Sequence, residues 1–224
     1  MIALLAGMGV LSASTVSAAP SVQTATINSK PGYDAPGAPN YAMGVEVVNA
    51  GGIGEGTGVI VAQQGMGEWI ATAYHVIQGA SSVWVYSPAG GPFGDAHAAT
   101  RTVYDASEDL ALIYVPRFTG GFAPQIAAMP TAIDPGEADC VNGPAWTLQR
   151  QPLLLGPAYT ASTANYPHIV TTAAPVIVSG CSGGPIMDYQ GQLVGISLDV
   201  IYGSVVGDAY APATEIQALL QEAH

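Results

Sequence analysis

Charge is the first thing this sequence lacks. Only 9% of its 224 residues are Asp, Glu, Lys or Arg, against roughly 25% in ordinary soluble domains. Basic residues are rarest: Lys30, Arg101, Arg117 and Arg150 face 16 acidic residues, for a formal net charge of −12. So few scattered cations leave no footprint for nucleic acid, because phosphate binding needs clustered Lys and Arg. The same balance argues against an anionic membrane surface as partner. Cysteine is scarce as well, with Cys140 and Cys181 alone. An even count in an exported protein permits one disulfide, and two buried thiols are the alternative. The N-terminal apolar run is too short to span a membrane, so no stable membrane insertion is expected. Amphipathic patterns of helix length are missing before residue 214.

Hydrophobic residues make up 49% of the chain, with 28 Gly and 17 Pro. A real core can therefore form, and the turn residues suit an all-β protein. Ile2–Leu11 is a short apolar run and Val16-Ser17-Ala18 offers the small residues a signal peptidase reads, although no Lys or Arg precedes them. Residues 1–18 are accordingly read as an atypical secretion signal, with a disordered Ala/Ser-rich start as the alternative. The proline-rich residues 19–43 read as a flexible leader or pro-segment.

From there, short β-branched and aromatic runs recur between Gly, Pro and Asn. Six strands are expected at Gly44–Val48, Gly58–Ala62, Glu68–Ala73, Ser82–Tyr86, Ala98–Val103 and Leu110–Val115. A looser stretch, 119–135, reads as a linker. Six more strands follow at Ala138–Val141, Gly156–Ala161, His168–Thr172, Gly184–Met187, Gln192–Ser197 and Asp208–Ala211, and a helix at Thr214–Ala223. The expected fold is all-β: two six-stranded antiparallel β-barrels, over 44–118 and 136–224, with a C-terminal helix.

Three segments carry chemistry. Ala71-Thr72-Ala73-Tyr74-His75-Val76 places an imidazole at a strand end. Glu108-Asp109 precedes an apolar strand. Gly180-Cys181-Ser182-Gly183-Gly184-Pro185 sets a serine in a glycine-rich turn. Singly, each has a structural explanation; together they supply what acyl transfer needs. A serine hydroxyl is a weak nucleophile that requires a base within reach. Imidazole titrates near working pH, and a carboxylate fixes its tautomer. Backbone N–H groups, here those of Gly180 and Ser182, stabilise the developing oxyanion.

These segments resemble those of the trypsin-like serine peptidases in their His–Asp–Ser order, and most closely the bacterial HtrA/Deg-type protease domain. Gly56-Thr57-Gly58-Val59-Ile60 resembles that family's second strand, Val141-Asn142-Gly143-Pro144 its turn into the second barrel, Thr171 to Pro185 its serine loop, and Gly191–Ile196 the strand after it. The resemblance implies a serine endopeptidase with the triad His75, Asp109 and Ser182, acting on protein or peptide substrates without a cofactor or metal. A catalytically silent domain that binds a peptide or protein partner is the alternative. Two departures matter. The sequence stops after the helix, so no PDZ-type domain is expected behind the barrels, and the chain is expected to be a monomer. Cys181 also stands where trypsin has an acidic residue that pairs with a new N-terminus. By the same resemblance Cys181 lies beside Cys140 and can bridge to it.

The family's specificity pocket implies a wall formed by Pro175, Val176, Ile177, Val178 and Ser179, with Ser197 and Asp199 opposite. An apolar wall favours an uncharged side chain at the cleavage position. Asp199 is either an attractor of a basic residue or a solvated turn residue. His97, His168 and His224 have no ligand spacing and are read as structural or without a role. Gly51-Gly52 and Gly90-Gly91 read as hairpin turns. A secreted or cell-envelope location is expected.

Overall fold

The computed structural model describes residues 41–87, 96–119, 121, 123–124, 126, 136–142, 147–152, 168–171, 178–188, 190–201 and 207–224. The signal, nearly all of the leader, Gly90-Gly91 and the expected strand Gly156–Ala161 lie outside these residues.

Seven strands form the first sheet: β1 (Ala42–Asn49), β2 (Gly52–Gln64), β3 (Gly67–Ala73), β4 (Ser82–Tyr86), β5 (Ala96–Ala98), β6 (Arg101–Asp105) and β7 (Leu110–Pro116). They run in the antiparallel order β5-β4-β1-β2-β3-β7-β6. One more strand appears than the sequence suggested, because the segment read as Ala98–Val103 turns a corner. At that corner Ala99 N–H bonds the Val83 carbonyl on β4 and Thr100 N–H bonds the Tyr114 carbonyl on β7, both at 2.9 Å. The two edges of the sheet thus meet at one corner, so few backbone donors are left for edge-to-edge association.

β1 opens at Ala42, two residues ahead of the expected start, and Tyr41 is already buried. β2 also begins earlier than expected. Its run Gly-Ile-Gly-Glu-Gly-Thr-Gly is strand, paired with β1 from Asn49↔Gly52 to Ala42↔Val59. The alternate glycines serve close approach rather than turning. A Cβ on Gly58 would come within 2.6 Å of Ile70, and one on Gly56 within 2.7 Å of Val76. The turn itself is the two-residue loop Ala50-Gly51, with Gly52 at φ 129.

The second sheet contains, among the described residues, β8 (Gly136–Asn142), β9 (Thr147–Pro152), β10 (Ile169–Thr171), β11 (Pro185–Asp188), β12 (Leu193–Ile201) and β13 (Gly207–Pro212), in the order β10-β13-β12-β11-β8-β9. β9 was not legible in the sequence, since Thr-Leu-Gln-Arg-Gln-Pro has almost no apolar alternation. The expected C-terminal helix is present as α2 (Ala213–Ala223), burying Ala213, Ile216, Leu219 and Ala223. One core joins the halves: Trp69, Leu110 and Leu112 share a cluster with Val141, Leu193, Leu198, Ile216 and Leu219. No helix among the described residues is long and apolar enough to cross a membrane.

Glu68 is one of three acidic side chains buried among the described residues, with Asp139 and Asp208. Glu68 on β3 is fully buried and accepts the Phe118 N–H at 3.2 Å and a longer bond from Gln63 at 3.5 Å. Burial pushes its carboxyl above the ordinary carboxylate value, with the Phe118 bond, Gln63, Arg117 and His97 pulling the other way. A carboxyl raised in the folded state contributes stability below its unfolded value, and loses it as pH rises through the folded one. Glu68→Gln should therefore melt higher than wild type at pH 7, by about 2–4 °C for each kcal/mol recovered. The gap should close in acid, where Glu68 is already neutral; thermal unfolding at both pH values checks this.

Candidate active site

His75 and Asp109 are brought together by two local devices. β3 ends at Ala73 and the chain turns at once into α1 (Tyr74–Ile77), a single turn that lifts His75 out of the sheet. Asp109 ends the turn between β6 and β7. Asp105 organises that turn by accepting Ser107 N–H at 2.8 Å and Ser107 Oγ–H at 2.6 Å, an Asx-type arrangement. The Ser107 bond holds the Asp105 carboxyl below its ordinary value. Asp109 itself has φ 51, a left-handed conformation that Asp tolerates better than most residues. It grips the helical turn at three points. Its carbonyl accepts Tyr74 N–H (2.8 Å), Oδ1 accepts His75 N–H (2.8 Å) and Oδ2 meets His75 Nδ1 (2.6 Å). A carboxylate only accepts, so the proton sits on Nδ1 and the lone pair on Nε2. The Asp109 hydrogen bond raises the His75 pKa above the usual imidazole value. Burial lowers it, while the charges of Asp109 and Asp199 add to the rise.

The serine loop is a second preformed unit. Cys181 N–H bonds the Val178 carbonyl at 3.0 Å, closing a four-residue turn with Gly180 at φ 90 in its third position. That position of a type II turn needs positive φ, which glycine adopts without strain. Beyond Ser182 the loop is pinned to β12: Gly183 N–H bonds Ser197 O (2.7 Å) and Ser197 N–H bonds Gly184 O (2.8 Å). Gly183 has φ 85, and a Cβ there would collide with the Thr57 carbonyl and the Thr72 hydroxyl. Among the described residues, the N–H groups of Gly180 and Ser182 have no internal acceptor. The disulfide Cys140–Cys181 ties the loop to β8 across 41 residues and settles the choice between a bridge and two thiols.

Thr57 on β2 joins these parts and was not singled out in the sequence. Its N–H bonds the Ser182 carbonyl (2.9 Å). Its hydroxyl lies 2.8 Å from the Gly180 carbonyl and 3.1 Å from the Val141 carbonyl, and accepts the Val141 N–H (3.0 Å). Its own carbonyl accepts the Thr72 hydroxyl (2.7 Å). The signal was a hydroxyl between glycines in an apolar strand, a residue that cannot be buried without partners.

His75, Ser179, Gly180, Ser182 and Asp199 line one open cleft of about 500 Å³, with Val178 and Val200. The Ser182 hydroxyl donates to the Leu198 carbonyl at 3.0 Å. Ser197 lies apart from the cleft lining: it is fully buried and donates to the Cys181 carbonyl at 2.7 Å, because its side chain points under the loop. Val176 and Ile177 lie outside the described residues. His97 bonds the Pro116 carbonyl and stacks on Phe118, while His168 lies 3.8 Å from Glu108.

A curled seven-stranded sheet and a second sheet, with an imidazole–carboxylate pair and a glycine-bound serine lining one cleft, define a chymotrypsin-like class of fold. A profile of the trypsin-like peptidase domain matches residues 56–196, and the chain belongs to that family. It is 30% identical over 164 residues to the serine proteases Rv3671c and MT3772 of two Mycobacterium tuberculosis strains. The match takes in 69% of this chain and 37% of those relatives, so the chain spans little more than a third of their length. The crystal structure of the Rv3671c protease in its active form has a TM-score of 0.64 at 20% identity, covering 81% of this chain and 79% of that one. The HtrA-type protease AlgW with a tripeptide gives 0.63 at 20%, covering 83% and 60%. These structures share the fold.

Thr57→Val removes the hydroxyl while leaving the Val141 N–H and the Gly180 carbonyl in place. Each buried group left unmatched costs about 1–3 kcal/mol. Urea unfolding should show a loss of that order, and Thr57→Ser should recover most of it. Replacing both cysteines by alanine should cost on the order of 3–4 kcal/mol in the same measurement.

Proposed function

We propose that this chain is a serine endopeptidase in which Ser182 is the nucleophile, His75 the general base and acid, and Asp109 the residue that orients His75. The observation that carries the reading is the pair of hydrogen bonds that His75 donates to Asp109, from its N–H and from Nδ1, which leaves Nε2 as the basic nitrogen of a ring that lines the same cleft as Ser182. The Ser182 hydroxyl leaves the Leu198 carbonyl for Nε2, and its oxygen attacks the substrate carbonyl as the proton passes to His75. The Gly180 and Ser182 N–H groups hold the resulting oxyanion. The imidazolium, stabilised by Asp109, then gives the proton to the leaving amine. Water repeats the sequence on the acyl-enzyme and restores the serine.

Val178, Ser179 and Val200 in the cleft support a preference for an uncharged residue at the cleavage position, and the apolar character of Val176 and Ile177 in the sequence agrees with it. Ser197 acts in this scheme as a support beneath the loop. The disulfide supports an extracytoplasmic location, secreted or in the cell envelope, since such bridges persist in oxidising compartments. The Ser182–Leu198 bond favours one second reading, a silent domain whose hydroxyl never turns to His75.

Hydrolysis of a casein-type protein, abolished by Ser182→Ala, tests the choice between the two. A folded chain that cleaves neither protein nor a panel of uncharged peptides would point to the silent domain. The pH dependence is a sharper check. The base must be neutral, and Asp109 raises its pKa. The acid limb of kcat/KM should therefore inflect above the ordinary imidazole value of about 6.5. Asp109→Asn should move that inflection down and lower kcat by about 10⁴-fold, since the imidazole then holds the wrong tautomer.

A further inference from the structure

We propose that the cleft selects polypeptides carrying basic residues on the flanks of the cleavage position, and that Glu55 and Asp199 recognise them from opposite walls. The inference rests on the peptidase reading and names the substrate class of the same cleft. Glu55 comes from β2, on the wall that also bears Asn49, Gly54 and Gln78; Asp199 comes from β12, beside Val200. Both are exposed, and His75 and Ser182 lie in the cleft with them. An extended peptide laid across Ser182 therefore meets one carboxylate from each of the two sheets.

Three further observations point the same way. First, among the described residues no Lys or Arg lines the cleft. The three described arginines are engaged elsewhere: Arg101 lies over the Trp69 ring, Arg117 bonds the Gly65 carbonyl and Arg150 lies beside Asp139. Second, Glu55 stands directly across the β1–β2 ladder from Glu46. Like charges at opposed positions destabilise a sheet, so in a chain where only 9% of residues are charged this pair is a local cost at the cleft rim. A bound cation removes that cost. Glu46 is held in place by the Tyr86 hydroxyl at 3.4 Å. Third, a net charge of −12 extends a negative field around the molecule, which raises the encounter rate with cationic chains and repels acidic ones. The uncharged cleavage position and the charged flanks are thus separate demands, met by Val178 and Val200 in the one case and by the two carboxylates in the other.

The test measures binding to the full chain carrying Ser182→Ala, so that cleavage plays no part. Fluorescent peptides with an uncharged centre and Lys, Gln or Glu on either flank are titrated by anisotropy, at low salt and at about 0.15 M salt, where screening acts within about 8 Å. Lys peptides should bind tightest and Glu peptides weakest. Glu55→Gln and Asp199→Asn should each remove about two- to fivefold of the Lys advantage, on one flank only and on opposite flanks. The advantage should shrink with salt. Equal binding of the three peptides, a ranking that survives in the double variant, or no binding at any flank charge would overturn the proposal. Failure of the unsubstituted chain to cleave any substrate would count instead against the peptidase reading.

Discussion

The Thr57 hydroxyl sits where two sheets and the serine loop meet, and the geometry around Ser182 depends on it. One side chain and its own peptide group reach Val141 on β8, Gly180 and Ser182 in the loop, and, through a carbonyl, Thr72 on β3. Every one of these groups is a backbone or hydroxyl dipole removed from water, so each must be matched or costs free energy. The result is that the loop cannot change shape without exposing an unmatched donor or acceptor elsewhere. Gly183 permits this closeness, for a side chain there would strike the Thr57 carbonyl and the Thr72 hydroxyl that bonds it.

The His75–Asp109 unit is built independently, within the first sheet. The bonds that Tyr74 and His75 donate to Asp109 make the end of β3 and the turn before β7 one rigid piece. The serine loop belongs to the second sheet, pinned by Ser197, the Cys140–Cys181 bridge and the turn over residues 178–181. Two stiff halves, each with its own internal bonds, then meet across Thr57 and a shared apolar core. Preorganisation of this kind leaves little to reorganise as charge develops in the cleft.

Much of this was legible in the chain itself. β-branched runs between turn residues marked most strands, and the periodicity of Ile216, Leu219 and Leu220 marked the final helix. His75, Asp109 and Ser182 stood out because their neighbours form short, distinctive segments, and the structure gathers the first two into one hydrogen-bonded pair with the third in the same cleft. Other features were hidden for physical reasons. The stretch from Gly52 to Thr57 was left out of the expected second strand because sequence does not distinguish a glycine that bends from one that lets a neighbour approach. β9 was hidden because its residues carry almost no apolar alternation. Thr57 and Leu198 act through hydrogen bonds to partners remote in the chain, the Gly180 carbonyl lying 123 positions from Thr57, and in Leu198's case through a carbonyl that every residue possesses. Ser197 was expected in the pocket wall, yet strand alternation turns it beneath the loop.

The most direct test of the account is labelling of the native, disulfide-bonded chain with a fluorophosphonate probe, read by mass spectrometry, with His75→Ala as control. The account predicts one adduct per molecule, on Ser182, and none in the control, since a formed loop and an oriented imidazole are both required. A folded native chain that acquires no adduct, or one labelled equally well without His75, would contradict it.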